Sequence, residues 1–126
     1  MLKTKDIAGV GRDSARVYRI TEMPAFRAEK WAIRALWLIA GTGSDLPESL
    51  DNVPFAEFVR RGFTALFKVD FKDAEPLLHE LLLCAEMVTK AGVRKLILND
   101  DFEDPRTLLL LRKEIFALHT DFFTDD

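Results

Sequence analysis

Cysteine is almost absent: of 126 residues only Cys84 carries a thiol, which excludes an internal disulfide and any cysteine-based zinc cluster. Long apolar runs are missing too. No window approaches the roughly 20 apolar residues that span a bilayer. The apolar stretch 7–10 at the N-terminus is too short and too polar for a signal-peptide core, so a cytoplasmic location is expected. Positive charge is not in excess. The formal net charge is -3 with a pI near 5.4, so no global cationic field gathers phosphates, and nucleic acid is not the expected main partner. Glycine-rich phosphate loops are lacking. Gly9-Val10-Gly11 and Gly41-Thr42-Gly43 have neither a third glycine nor a following Lys-Ser/Thr, and they read as loop glycines.

What is present is enough for a folded core. Apolar residues make up 48% of the chain and charged residues 31%, a globular balance at a length of about one domain. Residues 1–15 read as a flexible N-terminal segment and 16–126 as a single α-rich domain.

Residues 16–21 alternate polar and apolar and predict a short strand that stops at Pro24. Proline fits a helix start, and 25–40 contains neither Gly nor Pro, predicting a first helix ended by Gly41. Arg27, Lys30 and Arg34 share one narrow face of it, with Trp31, Ala32, Ala35, Leu36, Trp37, Leu38 and Ile39 around the rest. A polar loop, 44–52, leads to a second helix at about 53–68, where Gly62 stands mid-face and lets another helix approach.

Asp73 is the expected cap of a third helix running to about Lys90 before Gly92, with Leu77, Leu81, Cys84, Ala85 and Val88 as its main stripe. Leu83 and Met87, four residues apart, form a second short stripe on that helix. A brief apolar run at 95–98 predicts a strand able to pair with 16–21. Asp104 followed by Pro105 is a cap and a first-position proline, opening a fourth helix to about Phe122. Its main row is Leu108, Leu111, Ile115, Leu118 and Phe122, while Leu109, Phe116 and Phe123 form a second row at spacing seven. The fold class that follows is mainly α, an all-α, bundle-like domain of about four helices with a small two-stranded pairing of 16–21 with 95–98.

Chemistry finds little support. His79 and His119 sit on different predicted helices, and only the fold could bring either near Cys84 or a serine. The oxygen-rich run Asn99, Asp100, Asp101, Glu103 and Asp104 lacks the glycine and alternate spacing of a calcium loop and reads as a solvated acidic loop. No catalytic, cofactor-binding or metal-binding residue is expected, and no cofactor. Apolar surface is the feature in excess: the first, third and fourth helices carry more of it than one buried stripe needs. Either several faces pack within the domain, or a partner or a second copy in a homo-oligomer covers some of them.

The segments 19–36 (RITEMPAFRAEKWAIRAL), 73–82 (DAEPLLHELL) and 111–123 (LRKEIFALHTDFF) resemble small tail assembly chaperone proteins of phages and prophages, over most of the chain from about Arg16. The resemblance implies a non-catalytic virion morphogenesis factor that binds the tape measure protein, keeps it soluble and helps recruit tail tube protein, in the host cell cytoplasm. Proteins of this kind are often extended by a ribosomal frameshift near the C-terminus, which the resemblance leaves open for this chain. No motif fixes its binding positions. The apolar faces therefore supply the expected partner-binding set: Leu109, Phe116, Phe123, Leu83, Met87 and Trp37. The competing reading is a small homodimeric regulatory protein that binds nucleic acid through Arg27, Lys30 and Arg34, or binds another protein. A third, a small enzyme, needs a pocket of convergent polar groups that the sequence does not predict.

Overall fold

The structure is a computed structural model that describes residues 1–40 and 69–120. Among them lie four strands, β1 (Thr4–Ala8), β2 (Val17–Thr21), β3 (Ala85–Thr89) and β4 (Gly92–Lys95), and three helices, α1 (Ala25–Ala40), α2 (Phe71–Leu82) and α3 (Pro105–Thr120). The strands form one antiparallel sheet in the order β1-β2-β3-β4. The protein is thus mixed α and β, which corrects the mainly α, all-α bundle expected from the helical patterning. The expected second helix with Gly62, and Phe122 and Phe123 of the fourth, lie outside the described residues.

Three local corrections account for the difference. Helix α2 begins at Phe71, where the Asp70 carbonyl accepts from Ala74 N at 3.1 Å, and it ends at Leu82 rather than near Lys90. Residues 85–89 are instead an interior strand, bonded to β2 on one side and β4 on the other. Their sequence fits both periods. Ala85 and Met87 are buried while Glu86 and Val88 are half-buried, the alternation of a strand, yet Ala85 and Val88 also continue the three-four spacing of α2. Paired strands on both sides decide the conformation here.

The second correction is the pairing itself, since β2 pairs with β3 (Ile20 opposite Ala85) and not with 95–98. The β3–β4 turn places Thr89 opposite Gly92, so β4 is spent by Lys95. Gly92 has φ 127°, and Thr89 Oγ1 donates to the Gly92 carbonyl at 2.8 Å. The third is at the N-terminus, where the expected flexible lead carries β1 and a 3-10 turn, Gly11–Asp13. In β1 only Ile7 is buried, and Asp6 faces Arg19 across the strands with an Arg19 Nε to Asp6 Oδ1 bond of 2.8 Å.

By compactness the chain divides into two units, one of Met1–Glu22 with Glu80–Leu118, the other of Met23–His79 with His119–Asp126. In the first unit the buried apolar side chains include Ile7, Tyr18, Ile20, Leu81, Leu111 and Ile115. The N-terminus of α3 is tied to the β1–β2 connection through Asp13, which is fully buried and accepts from Glu103 N at 2.9 Å and Asp104 N at 3.0 Å. The Thr107 hydroxyl accepts from Val10 N at 3.2 Å and donates to the Asp13 carboxylate. Asp104 caps α3 as expected, accepting from Arg106 N at 2.9 Å and from the Arg106 guanidinium at 2.7 Å. Gly11 has φ 55°, and a β-carbon there would run into Asp104 Oδ2 and the Arg106 guanidinium. Gly11→Ala is therefore expected to cost about 1–3 kcal/mol, read as a lowered midpoint in urea. An unchanged midpoint would show that the turn relaxes freely.

The acidic run 99–104 is accordingly not a solvated loop throughout. Asp101 is buried, bonded to Arg94 at 2.7 and 2.9 Å and accepting from Ile97 N at 2.6 Å. The buried Tyr18 hydroxyl donates to the Asp101 carbonyl at 2.6 Å, and its ring stacks on Phe102 with centroids 5.0 Å apart. Burial, reinforced by the Asp13 charge, pushes the Tyr18 hydroxyl up to about 12.

The carboxylates move the other way. The Arg94 hydrogen bond lowers Asp101 against its desolvation. The Arg106 hydrogen bonds lower Asp104 to about 2. At Asp13 desolvation alone would raise the value, but the bonds from Glu103, Asp104 and Thr107 and the charge of Arg16 together outweigh it, so the net direction is down. Groups whose folded values are depressed stabilise the fold above the unfolded carboxylate value of about 3.9, and that contribution is lost as pH falls through the folded values. Through these carboxylates the melting temperature, followed by circular dichroism, should fall below about pH 4 and continue falling toward pH 2. A melting temperature that stays level down to pH 2.5 would contradict this network.

Candidate partner-binding face

The second unit holds the clearest amphiphilic asymmetry. Helix α1 starts after Pro24, whose carbonyl accepts from Ala28 N at 2.9 Å. Ala28, Trp31, Ala32 and Ala35 are buried, three of them small enough to bring a neighbour's backbone near. Trp31 is only 2% exposed, and its indole N–H donates to the Leu77 carbonyl of α2 at 3.0 Å. That bond fixes which way the helix faces. Met23, at the approach to α1, donates its N–H to His119 Nε2 at 2.8 Å, so this buried imidazole nitrogen carries no proton.

The opposite face is apolar as well. Phe26 is 79%, Ile33 41% and Trp37 76% exposed. At about 100° per residue the three lie within about 40° of one line, diametrically across from Ala28 and Ala35. Arg27, Lys30 and Arg34 are all exposed and follow one side of this row, while Glu29 lies on the other. Ala25–Ala40 carries no acid besides Glu29.

Of the residues expected to bind a partner, Trp37 stands in this row. Leu109 is exposed on α3, on the side away from the buried Thr107, Leu111 and Ile115; Phe116 is half-buried, and Phe123 lies outside the described residues. Leu83 is exposed in the turn after α2, but Met87 is buried in β3, so the two do not form a helical stripe. Phe26 and Ile33 were not among the expected residues. Their signal is the seven-residue spacing of Phe26 and Ile33, with Trp37 four further on.

Polar chemistry offers less. Asp13, Asp101 and Asp104 are each engaged by backbone N–H groups, and among the described residues no cluster of three or more His, Cys, Asp or Glu could hold a metal ion. No helix among them is long and apolar enough to cross a membrane.

A family model described as phage tail assembly chaperone protein, TAC, matches residues 13–124. No curated protein and no solved structure matches the chain.

Proposed function

The chain belongs to the phage tail assembly chaperone family, and we propose that it acts there as a non-catalytic holdase, binding the tape measure protein and assisting recruitment of tail tube protein. The observation that supports this reading is apolar surface left open beside a well-made core. Phe26, Trp37, Leu83 and Leu109 are exposed, while the buried Asp13, Tyr18 and Trp31 side chains each make short hydrogen bonds. A holdase needs such side chains, because an amphipathic helix released before assembly must cover its apolar face on something. Leu109, Phe116, Leu83 and Trp37 are the proposed contacts, whereas Met87 is buried in β3 and is not one of them.

The test is co-expression with the tape measure protein of the same tail gene cluster, followed by fractionation and size-exclusion chromatography. The tape measure protein should move from the pellet to a soluble fraction and elute with the chain. A tape measure protein equally soluble without the chain, and eluting apart from it, would end the proposal.

A further inference from the structure

We infer that the solvent face of α1 is a docking site for an amphipathic helix of a partner protein whose apolar row is bordered by acidic residues. The inference rests on the chaperone reading for the identity of that partner, but its physical content stands on α1 alone.

Phe26, Ile33 and Trp37 are spaced seven and four residues apart, about 10 and 6 Å along the axis at a rise of 1.5 Å per residue. That is the length over which a second helix, laid alongside, presents anchors at its own i, i+4, i+7 and i+11 positions. Single exposed apolar side chains are ordinary, whereas two wide-open aromatic rings in line with an isoleucine, rimmed by charge, make a surface that gains by being covered. Phe and Trp are also the side chains that concentrate binding energy when a pocket closes on them.

The rim identifies the occupant. Arg27 and Lys30, with Arg34 beyond them, border the row on one side against the single acid Glu29 on the other. A helix seated on the row sets its own flanks against these charges, so Asp or Glu is favoured along the Arg27/Lys30 side and a basic flank is repelled. A second copy of α1 in a two-fold antiparallel pairing would bring cations against cations, because each flank then meets its own equivalent. Duplex DNA would satisfy the cations and leave Phe26, Ile33 and Trp37 in water, and the chain's net charge of -3 opposes it.

The experiment uses the full chain and two fluorescently labelled helical peptides with identical leucine rows, one flanked by glutamates and one by lysines. Anisotropy titrations should show the acidic peptide binding at least tenfold more tightly, with affinity falling as salt rises. Phe26→Ser/Trp37→Ser should weaken it at least tenfold with the helical circular dichroism unchanged. Arg27→Glu/Lys30→Glu should reverse the preference between the peptides. Equal binding of both peptides, or undiminished binding by the Phe26/Trp37 double variant, would overturn the inference. So would sedimentation showing that the double variant dissolves a dimer of the wild type, or a duplex DNA probe outcompeting the acidic peptide. If the peptides behave as expected while the tape measure protein fails to co-elute, the partner assignment fails and the surface stands. If co-elution succeeds and survives the double variant, the surface fails and the chaperone reading stands.

Discussion

Trp31→Ala should destabilise the protein by about 3–5 kcal/mol, whereas Trp37→Ala, six residues further along the same helix, should leave the melting temperature nearly unchanged. Trp31 is buried and bonded to the Leu77 carbonyl at 3.0 Å. Its truncation leaves a cavity among small neighbours, Ala28, Ala32 and Ala35, whose short side chains cannot move in to fill it. Trp37 has most of its surface in water already, so removing it takes little from the folded state relative to the unfolded. With each kcal/mol worth several degrees in a chain of this size, thermal melts should separate the two by about 10 °C or more. Equal losses would mean that both faces of α1 are packed.

Asp13→Ala should cost about 2–4 kcal/mol, and Asp13→Asn somewhat less, measured as shifted urea midpoints. The carboxylate is fully buried and accepts two backbone N–H groups at the entrance to α3, with Arg16 at 3.6 Å. Hydrogen bonds to a charged acceptor are worth about 1.5–3 kcal/mol each, and alanine leaves the buried Asp104 N–H and the part-buried Glu103 N–H without an acceptor. Asparagine keeps one acceptor oxygen but turns an amide N–H toward the other donor. If the alanine variant lost less than the asparagine variant, desolvation of the carboxylate would outweigh the bonds it makes.

The helices were more legible than the sheet because their signals are local. Pro24 before 25–40, and Asp104 with Pro105, place the starts of α1 and α3 within a residue or so. The strand at Val17–Thr21 was visible in its alternation. Strand β3 was not, since its neighbours on either side come from distant or not yet strand-like segments while its own residues extend the stripe of α2. Strand β1, with one buried side chain, carries almost no pattern of its own and is held by pairing with β2. The acidic run hid a fact of another kind: no spacing rule announces that Arg94, seven residues earlier, folds back onto Asp101 at 2.7 Å.

The binding surface divides the same way. An excess of apolar residues on the helices could be read directly, and two of the side chains it singled out, Trp37 and Leu109, are exposed. The line on α1 to which Trp37 belongs could not be read, because Trp31 and Trp37 were grouped together as one broad apolar side. Only the burial of Ala28, Trp31 and Ala35 splits that side into an inner face and an outer row.

The sheet's connectivity has a kinetic consequence. Strands β3 and β4 are joined by a tight turn, and β1 and β2 by the local connection 9–16, so each hairpin closes locally and can form in about microseconds. Pairing β2 with β3 instead joins Ile20 to Ala85 and Thr21 N to the Cys84 carbonyl, ends that the chain reaches only after passing through α1 and α2. That closure costs more loop entropy than either hairpin, which makes it the expected slow step in forming the sheet. Substitutions at the β2–β3 seam, such as Ile20→Val, should then slow folding, while those confined to the β3–β4 turn should chiefly speed unfolding. A nascent chain would hold two hairpins apart until the intervening helices are in place.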